Sequence, residues 1–235
     1  MGAVIRGVIF DGDDTLWLTE HLYDEARDRA RAIVEQAGLD GDAWERAQRR
    51  LDVENVAHLG HDPSRFPTSA VQALHAIGAD DAGLAASVED AARSVFRATA
   101  PLRDHAVATL ESLRARGLRL ALLTKGDPEV QARRIDASGL RSRFDVIEIV
   151  AVKTPADFAA VAARLGLQPD EVVSVGNSVR SDIEPSLAAG ITPVWIPAYV
   201  WEYEHCDDGP PAGVPRIQSL DELAGLIEEL SPASA

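Results

Sequence analysis

The sequence predicts an α/β fold, a doubly wound parallel sheet interrupted by an all-helical insertion. After about residue 99, short apolar runs alternate with stretches of helical periodicity, as βαβ units require. Between residues 18 and 98 only helical periodicity is found, with no strand pattern. The predicted domains are therefore an α/β core at residues 1–17 and 99–235 and a helical insertion at residues 18–98.

Composition limits the classes of partner. The 38 acidic and 23 basic residues give a formal net charge of -15, which argues against a nucleic acid or a membrane surface as partner. An anionic substrate would need a local cation. Cys206 is the only cysteine, so no intrachain disulfide and no cysteine-based zinc site is expected. Without a signal-peptide pattern or a long apolar span, we expect a cytoplasmic location.

The first strand is predicted over residues 4–10, which are apolar except for Arg6 and Gly7. A nearly continuous apolar run is typical of a strand that is covered on both faces of a parallel sheet. It ends in the string Asp11-Gly12-Asp13-Asp14-Thr15.

The insertion is predicted to hold four helices. The first is expected over residues 19–37, and the second begins at a capping box of Asp42 and Glu45 and carries Trp44. The third is expected from Phe66 to Ile77, after a loop over residues 60–67, and the fourth from Leu84 to Phe96. We expect Trp44 to pack on the apolar stripe, and Arg65 to be a surface side chain rather than a ligand of a substrate anion.

The second half alternates helices with strands. The helices are predicted near residues 107–113, 129–137, 155–165, 183–189 and 219–230, the last with a capping box of Ser219 and Glu222; the strands are predicted at residues 118–124, 146–150, 172–175 and 193–196.

Polar side chains follow the ends of four predicted strands. They are Asp11 and Asp13, then Thr124, then Lys153, then Asn177 and Asp182. Because the carboxyl ends of parallel strands meet at one edge of a sheet, we expect these groups to lie close together. Taken singly, each string is also compatible with a solvated turn or a helix cap.

In this order, the strings resemble the four sequence motifs of the haloacid dehalogenase superfamily. The motifs are Asp11-Gly12-Asp13-Asp14-Thr15, Thr124, Lys153 and the string from Gly176 through Asn177 to Asp182. The resemblance covers both α/β segments, and it identifies the helical insertion as the cap that the family carries after its first motif.

The resemblance implies phosphoryl transfer. Asp11 would attack phosphorus, Asp13 would exchange protons with the leaving group and the water, and Thr124 with Lys153 would bind the transferred phosphoryl group. Dehalogenating members lack an aspartate at the second position, so Asp13 favours a phosphatase.

The resemblance also implies Mg²⁺, held by the Asp11 side chain, the Asp13 backbone carbonyl and a residue of the fourth motif. Most phosphatases of the family have an aspartate where this chain has Asn177. Either Asn177 binds the metal through its amide oxygen or Asp182 takes over the coordination.

The expected function is that of a Mg²⁺-dependent phosphatase acting on a small phosphorylated metabolite. A phosphomutase, a dehalogenase and a catalytically weak phosphate-binding or regulatory protein are the alternatives, and the oligomeric state is open. The aromatic residues Trp195, Tyr199, Trp201 and Tyr203 follow the last strand, where they either pack or line the leaving-group site.

Overall fold

The computed structural model describes residues 3–198, 200–206 and 209–231. The helices and strands in chain order are β1 (Gly7–Phe10), α1 (Glu20–Gln36), α2 (Gly41–Glu54), α3 (Val56–Leu59), α4 (Arg65–Ala76), α5 (Ala82–Arg93), α6 (Ala106–Ala115), β2 (Arg119–Lys125), α7 (Pro128–Ser138), β3 (Val146–Val150), α8 (Pro155–Arg164), β4 (Val172–Gly176), α9 (Glu184–Ala188), β5 (Thr192–Trp195) and α10 (Leu223–Leu230).

The chain divides into two compact units. An α/β unit comprises Met1–Leu18 and Ala100–Ala235, and a helical unit comprises Thr19–Thr99. The domain boundaries predicted from the sequence lie one residue before these junctions.

The α/β unit contains a five-stranded sheet of order β3-β2-β1-β4-β5 in which every pairing is parallel. The doubly wound fold predicted from the sequence is confirmed. The strand order changes direction at β1, which lies between β2 and β4. The carboxyl end of β1 is therefore a topological switch point, the place where α/β proteins bind ligands.

Both faces of the central strand are buried. Ile9 packs in a cluster with Leu123 of β2 and with Phe158 and Val161 of α8. Val8 and Phe10 have no exposed surface and point to the opposite face, because side chains alternate along a strand. This double burial is why β1 is nearly continuous in apolar residues.

The strands and helices of the second half lie within a few residues of the predictions. The strand predicted at residues 4–10 is shorter, since only Gly7–Phe10 pair with both neighbours. The helix predicted at residues 183–189 is preceded by a π turn, Val179–Ile183, which the sequence did not indicate.

In the helical unit, two predictions about helix starts are wrong. The N-cap of α2 is Asp40, whose side chain accepts from the Ala43 N–H at 2.9 Å. Asp42, predicted to be the cap, instead pairs with Arg31. The loop predicted over residues 60–67 ends at Ser64, because α4 begins at Arg65.

The core of the helical unit contains aromatic and ionic groups. Trp44 is fully buried, as predicted, and its indole N–H donates to the Ala70 carbonyl at 3.0 Å. The prediction that Arg65 lies on the surface is wrong. Arg65 is buried, and its guanidinium lies 2.9 Å from the Asp52 carboxylate, because α2 and α4 place the two side chains face to face. Among the described residues, none of the helices combines the length and apolarity needed to cross a membrane.

Candidate active site

The turn after β1 sets the position of the first two carboxylates. The Asp11 N–H donates to the Val175 carbonyl at 2.9 Å, which extends the pairing of β1 with β4 by one residue. Gly12 follows, and its carbonyl accepts from the N–H groups of the next turn. A Cβ at Gly12 would lie 2.4 Å from the Trp17 ring and 3.2 Å from Thr124 Oγ1, so only glycine fits between Asp11 and Asp13.

Asp11, Lys153 and Asp182 form one buried ion cluster. The Lys153 ammonium donates to Asp11 Oδ1 at 2.5 Å and to Asp182 Oδ1 at 2.6 Å. All three residues are less than a tenth exposed. The side chains of three different strand ends are therefore joined through one ammonium, as the convergence of parallel strands requires.

Two carboxylates share a single ammonium in this cluster, and the charges are therefore unbalanced. Burial and the neighbouring Asp182 carboxylate together raise the pKa of Asp11 to about 7, although the Lys153 ammonium opposes them. Burial alone would lower the pKa of Lys153, but Asp11 and Asp182 outweigh it and hold that pKa above its ordinary value. A second cation beside Asp11 would favour the ionised carboxylate.

The Asp13 carboxylate accepts hydrogen bonds from a set of side chains that does not include Lys153. Its Oδ1 accepts from the Trp17 indole N–H at 2.6 Å. Its Oδ2 accepts from Gln131 Nε2 at 2.8 Å and from Arg134 Nη1 at 2.7 Å. The two carboxylates of the first motif are thus in different electrostatic surroundings, which is the arrangement that lets neighbouring acids take different roles.

Thr124 is fully buried at the end of β2. Within the described part of the chain, its hydroxyl has no hydrogen-bond partner. A buried hydroxyl without a partner is costly, so Thr124 is a candidate donor to a ligand oxygen at this sheet edge.

The fourth string is held at the end of β4. The Asn177 carbonyl accepts from the Trp195 indole N–H at 2.9 Å, and the Asn177 amide oxygen lies 3.4 Å from the Thr15 hydroxyl. The Ser178 N–H donates to Asp182 Oδ2 at 2.9 Å. A Cβ at Gly176 would lie 2.4 Å from the Asp182 carboxylate, so a glycine is needed for Asp182 to reach Lys153.

The oxygen atoms at this edge of the sheet are of the kind that bind a hard cation. Within the described ranges, no group of three or more His, Cys, Asp or Glu side chains is arranged to hold an ion. The available donors are the carboxylates of Asp11 and Asp182, the Asn177 amide oxygen and backbone carbonyls. Mg²⁺ accepts one or two carboxylates and completes its shell with waters and substrate phosphate. These donors and the unbalanced negative charge therefore fit Mg²⁺.

Sequence reasoning missed a second ion pair near these residues. The Lys125 ammonium donates to Glu204 Oε1 at 2.5 Å and to the Ser181 hydroxyl at 2.9 Å. Glu204 Oε2 accepts from the hydroxyls of Ser178 and Ser181, both at 2.7 Å. No local signal marks Glu204, because it lies in an irregular segment 79 residues from Lys125.

The described aromatic residues at the end of β5 and after it each pack against a neighbouring side chain. The Trp195 ring is covered by the Arg216 guanidinium at 4.8 Å. The ring centroids of Trp201 and Tyr203 are 5.3 Å apart, and the Arg180 guanidinium carbon lies 5.1 Å from the centroid of the Tyr203 ring. Tyr199, the fourth member of the predicted group, lies outside the described residues.

Comparisons with known proteins agree on one family. The family model for haloacid dehalogenase-like hydrolases matches residues 5–190. The glyceraldehyde 3-phosphate phosphatase of Methanopyrus kandleri is 31% identical over 97% of this chain and 99% of its own length. The protein of the same name from Methanocaldococcus jannaschii is 28% identical over 97% of this chain and 99% of its own length.

A solved structure gives the same result. The crystal structure of a haloacid dehalogenase-like family hydrolase from Xanthomonas campestris superimposes with a TM-score of 0.81 at 28% identity, and the match covers 98% of this chain and 97% of that one.

Proposed function

The chain belongs to the haloacid dehalogenase-like hydrolases and is a phosphatase, and we propose that it hydrolyses a small phosphate monoester through an aspartyl phosphate on Asp11. The single observation that carries the mechanism is the buried Lys153 ammonium that donates to both Asp11 and Asp182, beside an Asp13 that has separate partners.

In the first step, an Asp11 carboxylate oxygen attacks phosphorus while the bond from phosphorus to the ester oxygen breaks. Asp13 gives its proton to the departing oxygen, so the leaving group departs as an alcohol. The Lys153 ammonium and the unpartnered Thr124 hydroxyl donate to the phosphoryl oxygens, where negative charge develops.

In the second step, the Asp13 carboxylate takes a proton from a water molecule as that water attacks the phosphorus of the aspartyl phosphate. The bond between phosphorus and Asp11 breaks, which releases inorganic phosphate and restores the carboxylate. The same residue acts as acid in the first step and as base in the second, so the cycle conserves protons.

We propose that the Asp11 carboxylate and the Asp13 backbone carbonyl hold Mg²⁺ together with Asn177 or Asp182. When bound, the ion would neutralise negative charge on the phosphoryl oxygens. It would also offset the excess of carboxylates around Lys153, which otherwise opposes the approach of an anionic substrate to a chain of net charge -15.

The helical unit is proposed to be the cap that recognises the leaving group, a role common for units that close over reaction sites. The relatives that match along their full length are named for a three-carbon phosphate ester, so glyceraldehyde 3-phosphate is a proposed substrate for this chain. The proposed partner is therefore a small phosphorylated metabolite; a cytoplasmic location stays a prediction.

The test is release of inorganic phosphate from a panel of monoesters, with and without Mg²⁺. We expect release that requires the cation, with three-carbon substrates among the best. Transfer of phosphate to a second hydroxyl would identify a phosphomutase, and halide release from haloacids without Mg²⁺ would identify a dehalogenase. Inactivity on the whole panel, with no Mg²⁺ binding by calorimetry in the presence of a phosphate analogue, would favour the regulatory protein.

A further inference from the structure

We propose that Trp17, Gln131 and Arg134 form a positioning clamp that fixes the orientation of the Asp13 carboxylate for proton transfer to the leaving group. The inference rests on the proposed function, since it assumes that Asp13 is the acid and base of a phosphatase. None of the three residues belongs to the four sequence motifs, which are Asp11 to Thr15, Thr124, Lys153 and Gly176 to Asp182.

The clamp binds both oxygens of one carboxylate. Trp17 donates to Oδ1 at 2.6 Å, while Gln131 and Arg134 donate to Oδ2 at 2.8 and 2.7 Å. A carboxylate offers about four acceptor positions. Three are filled, so about one position remains for the proton that Asp13 exchanges.

The clamp residues are more deeply buried than the carboxylate they bind. Trp17 has no exposed surface, and Gln131 is 2% exposed. The Arg134 side chain is 7% exposed, whereas the Asp13 side chain is 28% exposed. The buried donors therefore define the orientation, and the partly exposed carboxylate remains accessible to substrate.

The sequence places two of the donors on one side of a single helix. Gln131 and Arg134 are three residues apart on α7, so they lie on the same face, one turn from each other. The start of α7 is fixed by Asp127, whose side chain accepts from the N–H groups of Glu129 and Val130, both at 3.0 Å. The Gln131 amide also donates to the Lys125 carbonyl at 2.9 Å, which ties the helix to the end of β2.

The experiment uses the dependence of rate on the leaving group. An alkoxide is strongly basic and needs a proton as it departs, whereas 4-nitrophenolate is weakly basic and does not. The value of kcat/KM reports the steps through departure of the leaving group. We therefore compare kcat/KM for an alkyl phosphate and for 4-nitrophenyl phosphate in Arg134→Gln, with Arg133→Gln as the matched control on an exposed position of α7.

Arg134→Gln is expected to lower kcat/KM for the alkyl phosphate by about 10²-fold, the loss typical of a misplaced catalytic group, and to lower it far less for 4-nitrophenyl phosphate. Arg133→Gln is expected to leave both values unchanged. In an Asp13→Asn background, Arg134→Gln should cause no further loss, because residues that act as a unit are not additive.

Trp17→Phe gives the same test if Arg134→Gln fails to fold, since it removes the indole N–H and keeps a smaller aromatic ring at that position. Equal losses on both substrates, or an additive loss in the Asp13→Asn background, would overturn the clamp while leaving the phosphatase intact. If Asp13→Asn itself lowers both substrates equally, the assigned role of Asp13 is wrong and the clamp is overturned with it.

Discussion

The two units each bury an ionic cluster, and the clusters differ in charge balance. In the α/β unit, Lys153 is shared by the two carboxylates of Asp11 and Asp182. In the helical unit, the single carboxylate of Asp52 pairs with Arg65 and accepts from the Ser69 hydroxyl at 3.3 Å.

The difference is visible in the surroundings of each carboxylate. Burial raises the pKa of both Asp11 and Asp52. For Asp52 the opposing charges are two guanidiniums, those of Arg65 and Arg27, and Arg27 also pairs with the Asp24 carboxylate at 2.5 Å, so two carboxylates face two guanidiniums. For Asp11 the one ammonium is opposed by the neighbouring carboxylates of Asp182 and Asp13. A buried cluster with balanced charge needs no further ion, whereas a buried cluster with excess negative charge is a candidate site for a cation or another ligand.

The largest effect is expected for Asp11→Asn. Removing a nucleophile typically costs on the order of 10⁶-fold in kcat. Thermal stability should be kept, because Lys153 still pairs with Asp182 at 2.6 Å. Phosphate release and the melting temperature are the two measurements.

Asp170→Asn, an exposed aspartate of the same unit, is the control and should retain the wild-type rate. If Asp11→Asn also retains it, Asp11 is not the nucleophile and the contrast between the two clusters is lost.

Arg65→Met breaks the balanced cluster. Removing one partner of a buried ion pair leaves the other charge uncompensated and typically costs about 3–5 kcal/mol. The matched control is Arg50→Met, whose exposed pair with Glu54 spans one turn of α2 and is worth about 0.3–0.5 kcal/mol. Hydrogen exchange of amides in the helical unit measures both losses, and equal values for the two variants would contradict a structural role for the Asp52–Arg65 pair.

Lys153→Met makes the unbalanced cluster more negative. Loss of a donor to the developing charge typically lowers kcat by about 10²–10³-fold. Binding of Mg²⁺ should be retained or become tighter, because the two carboxylates no longer share an ammonium. Steady-state kinetics and calorimetry with Mg²⁺ separate the two effects. Weakened Mg²⁺ binding would show that the carboxylates need Lys153 in order to face the ion.

The smallest effect concerns a third, one-to-one pair between Lys125 and Glu204. Burial alone would raise the pKa of Glu204, but Lys125 and the hydroxyls of Ser178 and Ser181 outweigh it and lower the pKa from 4.5 to about 2. A lowered carboxyl pKa stabilises the folded state above the ordinary pKa, and this stability is lost as the pH falls through the folded value.

Glu204→Gln should therefore cost about 3 kcal/mol at neutral pH, because the fall in pKa from 4.5 to about 2 corresponds to about 1.4 kcal/mol for each pH unit. The difference from wild type should shrink as the pH falls from 4.5 towards about 2. Denaturant unfolding at several pH values measures it. A difference that is constant with pH would mean that the pKa of Glu204 is the same in the folded and unfolded states, so that Lys125 does not lower it.

The parallel sheet and the polar residues at its edge could be predicted from the sequence alone. Parallel strands with two buried faces are continuous apolar runs, so β2 to β5 could be located within a few residues. The polar groups that end those runs, such as Asp11 and Lys153, then had to meet at one edge because parallel strands point the same way.

The partner of each polar group depends on how the elements pack in three dimensions. Lys153 and Asp11 are 142 residues apart, and Arg134 and Asp13 are 121 residues apart. Asp40 caps α2, although Asp42 and Glu45 have the spacing of a capping box, because Asp42 pairs with Arg31. Arg65 is buried because Asp52 of a neighbouring helix offsets its charge. Periodicity shows which face of an element is buried, but the choice of partner depends on distances between elements, which local sequence does not encode.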